Sequence, residues 1–256
     1  MPTGENVLFE KAFKRVVAIG ESITAGGSAT SREKCWVSRL AALIGEFQGG
    51  LPECINNGIG ANILCENSPC FPYASHPVGE KRVNRDMIEH DPDLSLISYG
   101  MNDMRGGTAP DVFTSTLDRV VQEIQEKTGA MIVLLGVYHM RAYERYGDVW
   151  AYGNDDMAEV FNDSIRTVAH NNGVLFADIA AAQRNTLWFL DADGVHANDL
   201  GHAIIANAVF ETIAQSCADL AKIALEAAKE KPRWRDESTL VDAESVERYL
   251  AMLGTR

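Results

Sequence analysis

The chain has 256 residues, 46% of them hydrophobic, and a formal net charge of −13. That is enough to bury one generous core, and the acidic balance, with no basic stripe interleaved with aromatics, argues against nucleic acid or an anionic membrane surface as a partner. No run approaches the roughly 18 apolar residues of a spanning helix.

In chain order, the N-terminal stretch carries Glu5 and Glu10 and does not read as a secretory signal, so a cytoplasmic location without membrane insertion is expected, with a secreted mature form as the alternative. "RVVAIG" (15–20), "ECINNG" (53–58), "DLSLISYG" (93–100), "AMIVLLGV" (130–137) and "GVLFADI" (173–179) read as strands of a largely buried sheet. Between them, 35–47, 110–129 and 156–173 read as helices, and a further helix is expected over about 200–224. Pro110 suits a first turn, and Gly129 and Gly173 suit stops. Strands alternating with helices predict parallel strands joined by right-handed crossovers, hence a three-layer α/β/α sandwich on a five-stranded, mostly parallel sheet.

From about 226 the composition becomes charged and is interrupted by Pro232. The domain is therefore taken as 1–225, with 226–256 as a helical appendage whose Val246, Tyr249, Leu250 and Leu253 suit docking on the domain or on a second subunit, a homodimer through the tail. The basic residues around Trp234 read as a solvated linker rather than a binding patch. Five cysteines form no zinc spacing; Cys65 and Cys70 bracket a loop that a disulfide would close in an oxidising compartment, but without a secretory signal the preferred reading is reduced thiols in a loop and a core.

Three strand ends carry unusual polar residues, and a parallel sheet presents all of them on one edge. They are Glu21 and Ser22; Asn56 to Ala61; and Met101, Asn102 and Asp103. A serine hydroxyl needs a base to take its proton and donors already in place for the oxyanion it forms. His196 is the candidate base, because Asp193, three positions earlier, can accept from Nδ1–H while Nε2 faces Ser22. Asn198 or Asp199 suits the cap of the next helix. Candidate oxyanion donors are the Ser22 N–H, the N–H of Gly60 or Ala61, and the Asn102 amide. Each piece also has a plain reading: Ser22 as a helix cap, "GMND" as a turn, and His196 as a satisfied histidine beside a helix start.

"IGESIT", "NNGIGAN", "GMND" and "DGVHANDLGH" resemble, in order, the four blocks of the SGNH hydrolases, the GDSL-type esterases and lipases. The resemblance implies a flavodoxin-like sandwich, Ser22 as nucleophile, Asp193 and His196 completing a triad, and Asn102 as oxyanion donor. It also places Ala61, with Gly60 beside it, where the family usually has glycine, while Glu21 and Ile23 depart from the Asp and Leu of the family name. No cofactor or metal is implied, and Gly-Lys-Ser/Thr of a phosphate loop is missing from "GESITAGG". The expected partner is a small-molecule ester, most readily a short-chain acyl ester of a carbohydrate. A lysophospholipase, a thioesterase, an acyltransferase of the same fold and a silent binding module are the alternatives. The loop 138–154, with Tyr138, Tyr143 and Trp150, is the candidate pocket wall, and the small residues after Ser22 are expected to leave room for the acyl group.

Overall fold

The computed structural model describes residues 12–184, 186–217 and 242–253. Two compact units divide the chain, residues 1–224 and 225–256. The boundary expected near 226, and the residues around Pro232 and Trp234, lie outside the described residues. The second unit contains a helix, Ala243–Leu253.

In the first unit, β1 (Arg15–Gly20), β2 (Glu53–Gly58), β3 (Leu94–Ser98), β4 (Met131–Leu135) and β5 (Leu175–Ala177) form one sheet in the order β2-β1-β3-β4-β5, with every pair parallel. The sequence tracks this order. β1, β3 and β4 are inner strands with near-continuous apolar runs, and Val16 through Ile19 are fully buried. β2 and β5 lie at the edges, so β2 tolerates Glu53, Asn56 and Asn57.

Helices α1 (Ser22–Ala25), α2 (Trp36–Gln48), α3 (Gly79–Asp86), α4 (Met101–Arg105), α5 (Pro110–Lys127), α6 (Asp155–Asn172), α7 (Ile179–Gln183) and α8 (Asp199–Gln215) follow the strands. α2 packs on α8 on one side of the sheet, and α5 packs on α3 and α6 on the other. Pro110 opens α5 and Gly173 ends α6 as expected. Gly129 does not end α5; the helix closes at Thr128, whose N–H donates to the Ile124 carbonyl. α3 was not legible, because its inward residues are Gly79, Val83 and the charged Arg82 rather than an apolar stripe.

All five cysteines are free thiols. Cys65 belongs to the main core and Cys70 to a separate cluster with Ile63, Ala74, Val78 and Trp150, so the two thiols face different interiors, in line with the reduced reading. No helix among the described residues is long and apolar enough to cross a membrane.

The register places Gly20 beside Gly58 on one side and Ser98 on the other. Three strands therefore end level, and the order reverses between β1 and β3. That is the switch point at which open parallel sheets bind ligands.

Candidate active site

At the end of β1 the backbone is tightly enclosed. A Cβ on Gly20 would lie 2.3 Å from Thr24 Oγ1 and 2.5 Å from the Ser98 carbonyl, and one on Gly58 would lie 2.1 Å from the Ala25 nitrogen. Only glycine lets α1 fold back onto the strand ends. Ser22 is the first residue of α1, while Glu21 occupies the cap position. The serine hydroxyl points instead at His196, with Oγ 2.9 Å from Nε2.

His196 stands in a short turn before α8, closed by bonds from the Asp191 N–H to the His196 carbonyl and from the Gly194 N–H to the Asp191 carbonyl. Its Nδ1 lies 2.5 Å from Asp193 Oδ2. Asp193 Oδ1 accepts from the Val195 and His196 N–H groups at 2.9 and 3.0 Å, and Oδ2 also accepts from the Tyr146 hydroxyl at 2.8 Å. Partial burial pushes this carboxyl up, but the hydrogen bonds from His196, the two backbone groups and Tyr146 outweigh burial and hold it well below the usual carboxylate range. The carboxylate thus stays ionised and fixes Nδ1 as the protonated nitrogen, leaving Nε2 to accept from Ser22.

Asn102 is buried near the N-terminus of α4. Its Nδ2 donates to the Asn62 carbonyl at 3.0 Å and its Oδ1 faces Arg105 Nη1 at 3.5 Å. A carbonyl on one side and a guanidinium on the other allow only this orientation of the amide, so one Nδ2 hydrogen remains for a ligand. The second-block turn runs from Ile59 to Asn62, with the Asn62 N–H on the Ile59 carbonyl. Within it Ala61 adopts φ 54, a left-handed conformation in which glycine is less strained. Gly60 and Ala61 are both exposed, and neither N–H donates to a protein acceptor among the described residues.

Beneath these groups lies a buried polar scaffold. Glu21 accepts from the Gly100 and Asn102 N–H groups at 3.0 to 3.1 Å and so joins the residue before Ser22 to α4. Asp103 accepts from the Leu64 and Cys65 N–H groups at 2.8 and 3.1 Å. Burial pushes Asp103 up to about 6; burial, followed by the charge of Asp103, pushes Glu21 well above its ordinary value. Arg82 is fully enclosed and donates to the Gly20 and Asn57 carbonyls, Asn62 Oδ1, the Tyr99 hydroxyl and Asp86 Oδ2. One guanidinium thereby ties the ends of β1 and β2 to the residue after β3.

The structure brings Ser22, Asp193 and His196 into one chain of hydrogen bonds, and presents Asn102 and the Gly60–Ala61 turn from strand ends in register with the end of β1. The expected pocket wall needs correction. Tyr138 is buried, its ring against Phe189 and its hydroxyl on the Val195 carbonyl, because it follows β4 directly into the core. Trp150 is also buried, in the cluster with Ile63 and Val78, and Tyr143 turns its hydroxyl to Asp155. Tyr146, the loop aromatic that touches Asp193, carries no sequence signal separating it from its neighbours. Of the small residues after Ser22, Gly27 lies against His196, where a Cβ would stand 3.2 Å from Cδ2. Ala25, Gly26 and Ala29 line a separate groove of about 460 Å³ whose lining does not include Ser22.

A serine, histidine and aspartate joined at the switch point of a parallel α/β/α sandwich, with an asparagine amide from the next inner strand, define an SGNH-type hydrolase. The model of the GDSL-like lipase/acylhydrolase family matches residues 18–204, and the chain belongs to that family. An arylesterase of Vibrio mimicus is 28% identical over 141 residues, covering 55% of this chain and 63% of that relative, so the chain spans less than two thirds of its length. Among solved structures, TesA superposes with a TM-score of 0.62 at 20% identity over 79% of this chain and 99% of that one. Axe2, an acetylxylan esterase from Geobacillus stearothermophilus, superposes with a TM-score of 0.58 at 22% identity over 78% of this chain and 94% of that one. At these identities the structural likeness establishes the fold.

Proposed function

We propose that the protein is a serine esterase that hydrolyses carboxylic esters through an acyl–Ser22 intermediate. The observation that carries the reading is the unbroken line from Asp193 Oδ2 through His196 to Ser22 Oγ, with contacts of 2.5 and 2.9 Å. His196 Nε2 takes the hydroxyl proton as Oγ attacks the ester carbonyl, and Asp193 stabilises the imidazolium without taking a proton itself. The Ser22 N–H, the N–H of Gly60 or Ala61 and Asn102 Nδ2 receive the oxyanion. The imidazolium then gives its proton to the leaving alkoxide, and water attacks the acyl-serine by the same route in reverse.

The substrate we favour is a short acyl ester, an acetyl group on a carbohydrate alcohol. An exposed rim of Arg141, Arg145, Tyr146 and Tyr152 on the loop suits a polar leaving alcohol better than a long chain, and the names of Axe2 and the arylesterase support ester chemistry. Hydrolysis of p-nitrophenyl esters from acetate upward by the wild type and Ser22→Ala tests the reading. Turnover fastest on acetate and lost in the variant is expected. Rates rising with chain length overturn the acetyl preference, transfer to an added alcohol in preference to water makes the protein an acyltransferase, and equal rates from both proteins overturn the role of Ser22.

A further inference from the structure

We propose that Tyr146 is a positioning residue for the reaction, its hydroxyl holding Asp193 in the orientation that His196 requires and drawing off part of the carboxylate charge. This rests on the esterase reading above. The phenol donates to Oδ2, the same oxygen that faces His196 Nδ1, and the two rings lie 6.0 Å apart between centroids.

The backbone supports the assignment. Tyr146 adopts φ 78, a region that bulky side chains rarely occupy, so surrounding contacts must hold it there. Arg105 supplies them from α4: its Nε donates to the Tyr143 carbonyl and its Nη2 to the Arg145 carbonyl. The Arg141 and Ala142 N–H groups donate to the Gly194 carbonyl, beside Asp193. Arg105 also faces Asn102 Oδ1, so one side chain sets both the loop that carries the phenol and the amide at the oxyanion position. Yet Tyr146 itself is 57% exposed. Its burial therefore contributes little to the fold, and the hydrogen bond is its distinctive contact.

Among the described residues the carboxylate of Asp193 has four donors, and Tyr146 is the one that lies outside its own turn. Without it, Asp193 keeps more of its negative charge on the oxygen that faces His196 Nδ1, which favours the imidazolium over the neutral base. The other charged or titratable groups around this pair are Arg105 on α4, Arg145 on the loop, Tyr138 after β4, Glu21 after β1, Asp191 in the turn and His202 on α8. A phenylalanine at 146 leaves all of them in place.

The test compares wild type with Tyr146→Phe and Tyr146→Leu. The acid limb of the kcat/KM profile should move up by about half a pH unit in both. Plateau kcat should fall about three- to ten-fold with KM within about two-fold, while Tm stays within about 2 °C. In parallel, the His196 Nδ1–H proton resonance, which needs no substrate, should titrate at higher pH in both variants. Superimposable pH profiles and resonances overturn the proposal, and a shift in Leu but not Phe assigns the effect to the ring and overturns the hydroxyl's role. If the wild type shows no turnover dependent on Ser22, the esterase reading fails separately, and the resonance still decides the Tyr146–Asp193 pairing.

Discussion

Two polar networks meet at Ser22, and they lie at different depths. On the oxyanion side, Glu21, Arg82, Asn102 and Asp103 are all 6% exposed or less and joined largely through backbone groups of the strand ends. On the acid–base side, Asp193 and His196 retain 15% and 19% exposure, and Tyr146 stands in solvent. A buried donor left without a partner suffers its full desolvation penalty, whereas an exposed one finds water. Damage to the deep network should therefore reduce stability together with rate, and damage to the shallow one should change rate and pH dependence alone.

The largest effect within this comparison belongs to Asn102→Ala. Loss of one oxyanion donor is expected to lower kcat about 10²- to 10³-fold with little change in KM, measured on the fastest ester of the series. A loss appearing wholly in KM would remove Asn102 from the oxyanion site. Glu21→Ala leaves the buried Gly100 and Asn102 N–H groups unpaired. It should cost about 2 to 4 kcal/mol in urea unfolding and lower kcat by about ten-fold, so that both readouts move together. A slow but fully stable variant would break the distinction between the two networks.

Asp103→Asn sharpens it through pH. The folded value of about 6 lies above the ordinary 3.8, so the folded state binds the proton more tightly. The stabilisation from that preference is complete below about pH 4 and is lost as pH rises through about 6, a swing of about 3 kcal/mol. Asp193 works in the opposite sense, stabilising above the ordinary carboxylate range and losing that contribution as pH falls. Against the variant, wild-type unfolding free energy should therefore decline between pH 4 and 7, and a difference constant with pH would contradict the buried-acid account.

The sheet was legible because β1, β3 and β4 need apolar residues on both faces, and the site because a parallel sheet sends its strand ends to one edge. The matched positions of "GES", "GIGA" and "GMND" could then be aligned without coordinates. The deep scaffold was not. Arg82 and Arg105 carried no signal of their burial, because their partners are largely carbonyls and side chains far along the chain, and sequence periodicity says nothing about those. Glu21 read as a departure from a motif, although its longer side chain reaches two N–H groups of the next strand-to-helix junction. The loop aromatics were misassigned for a related reason. Tyr138, Tyr143 and Trp150 follow no regular period, and the left-handed residues Tyr146 and Gly147 decide which ring faces Asp193.

The acyl group proposed for Ser22 can be trapped on the enzyme. Wild type and Ser22→Ala would be mixed with p-nitrophenyl acetate, quenched in acid during turnover and digested for mass spectrometry. One acetyl group is expected on the peptide containing Ser22, chased away on further incubation, with at least about a 10⁴-fold loss of turnover in the variant. Turnover that persists in Ser22→Ala, or an acetyl group found on another residue and equally in both proteins, would contradict it.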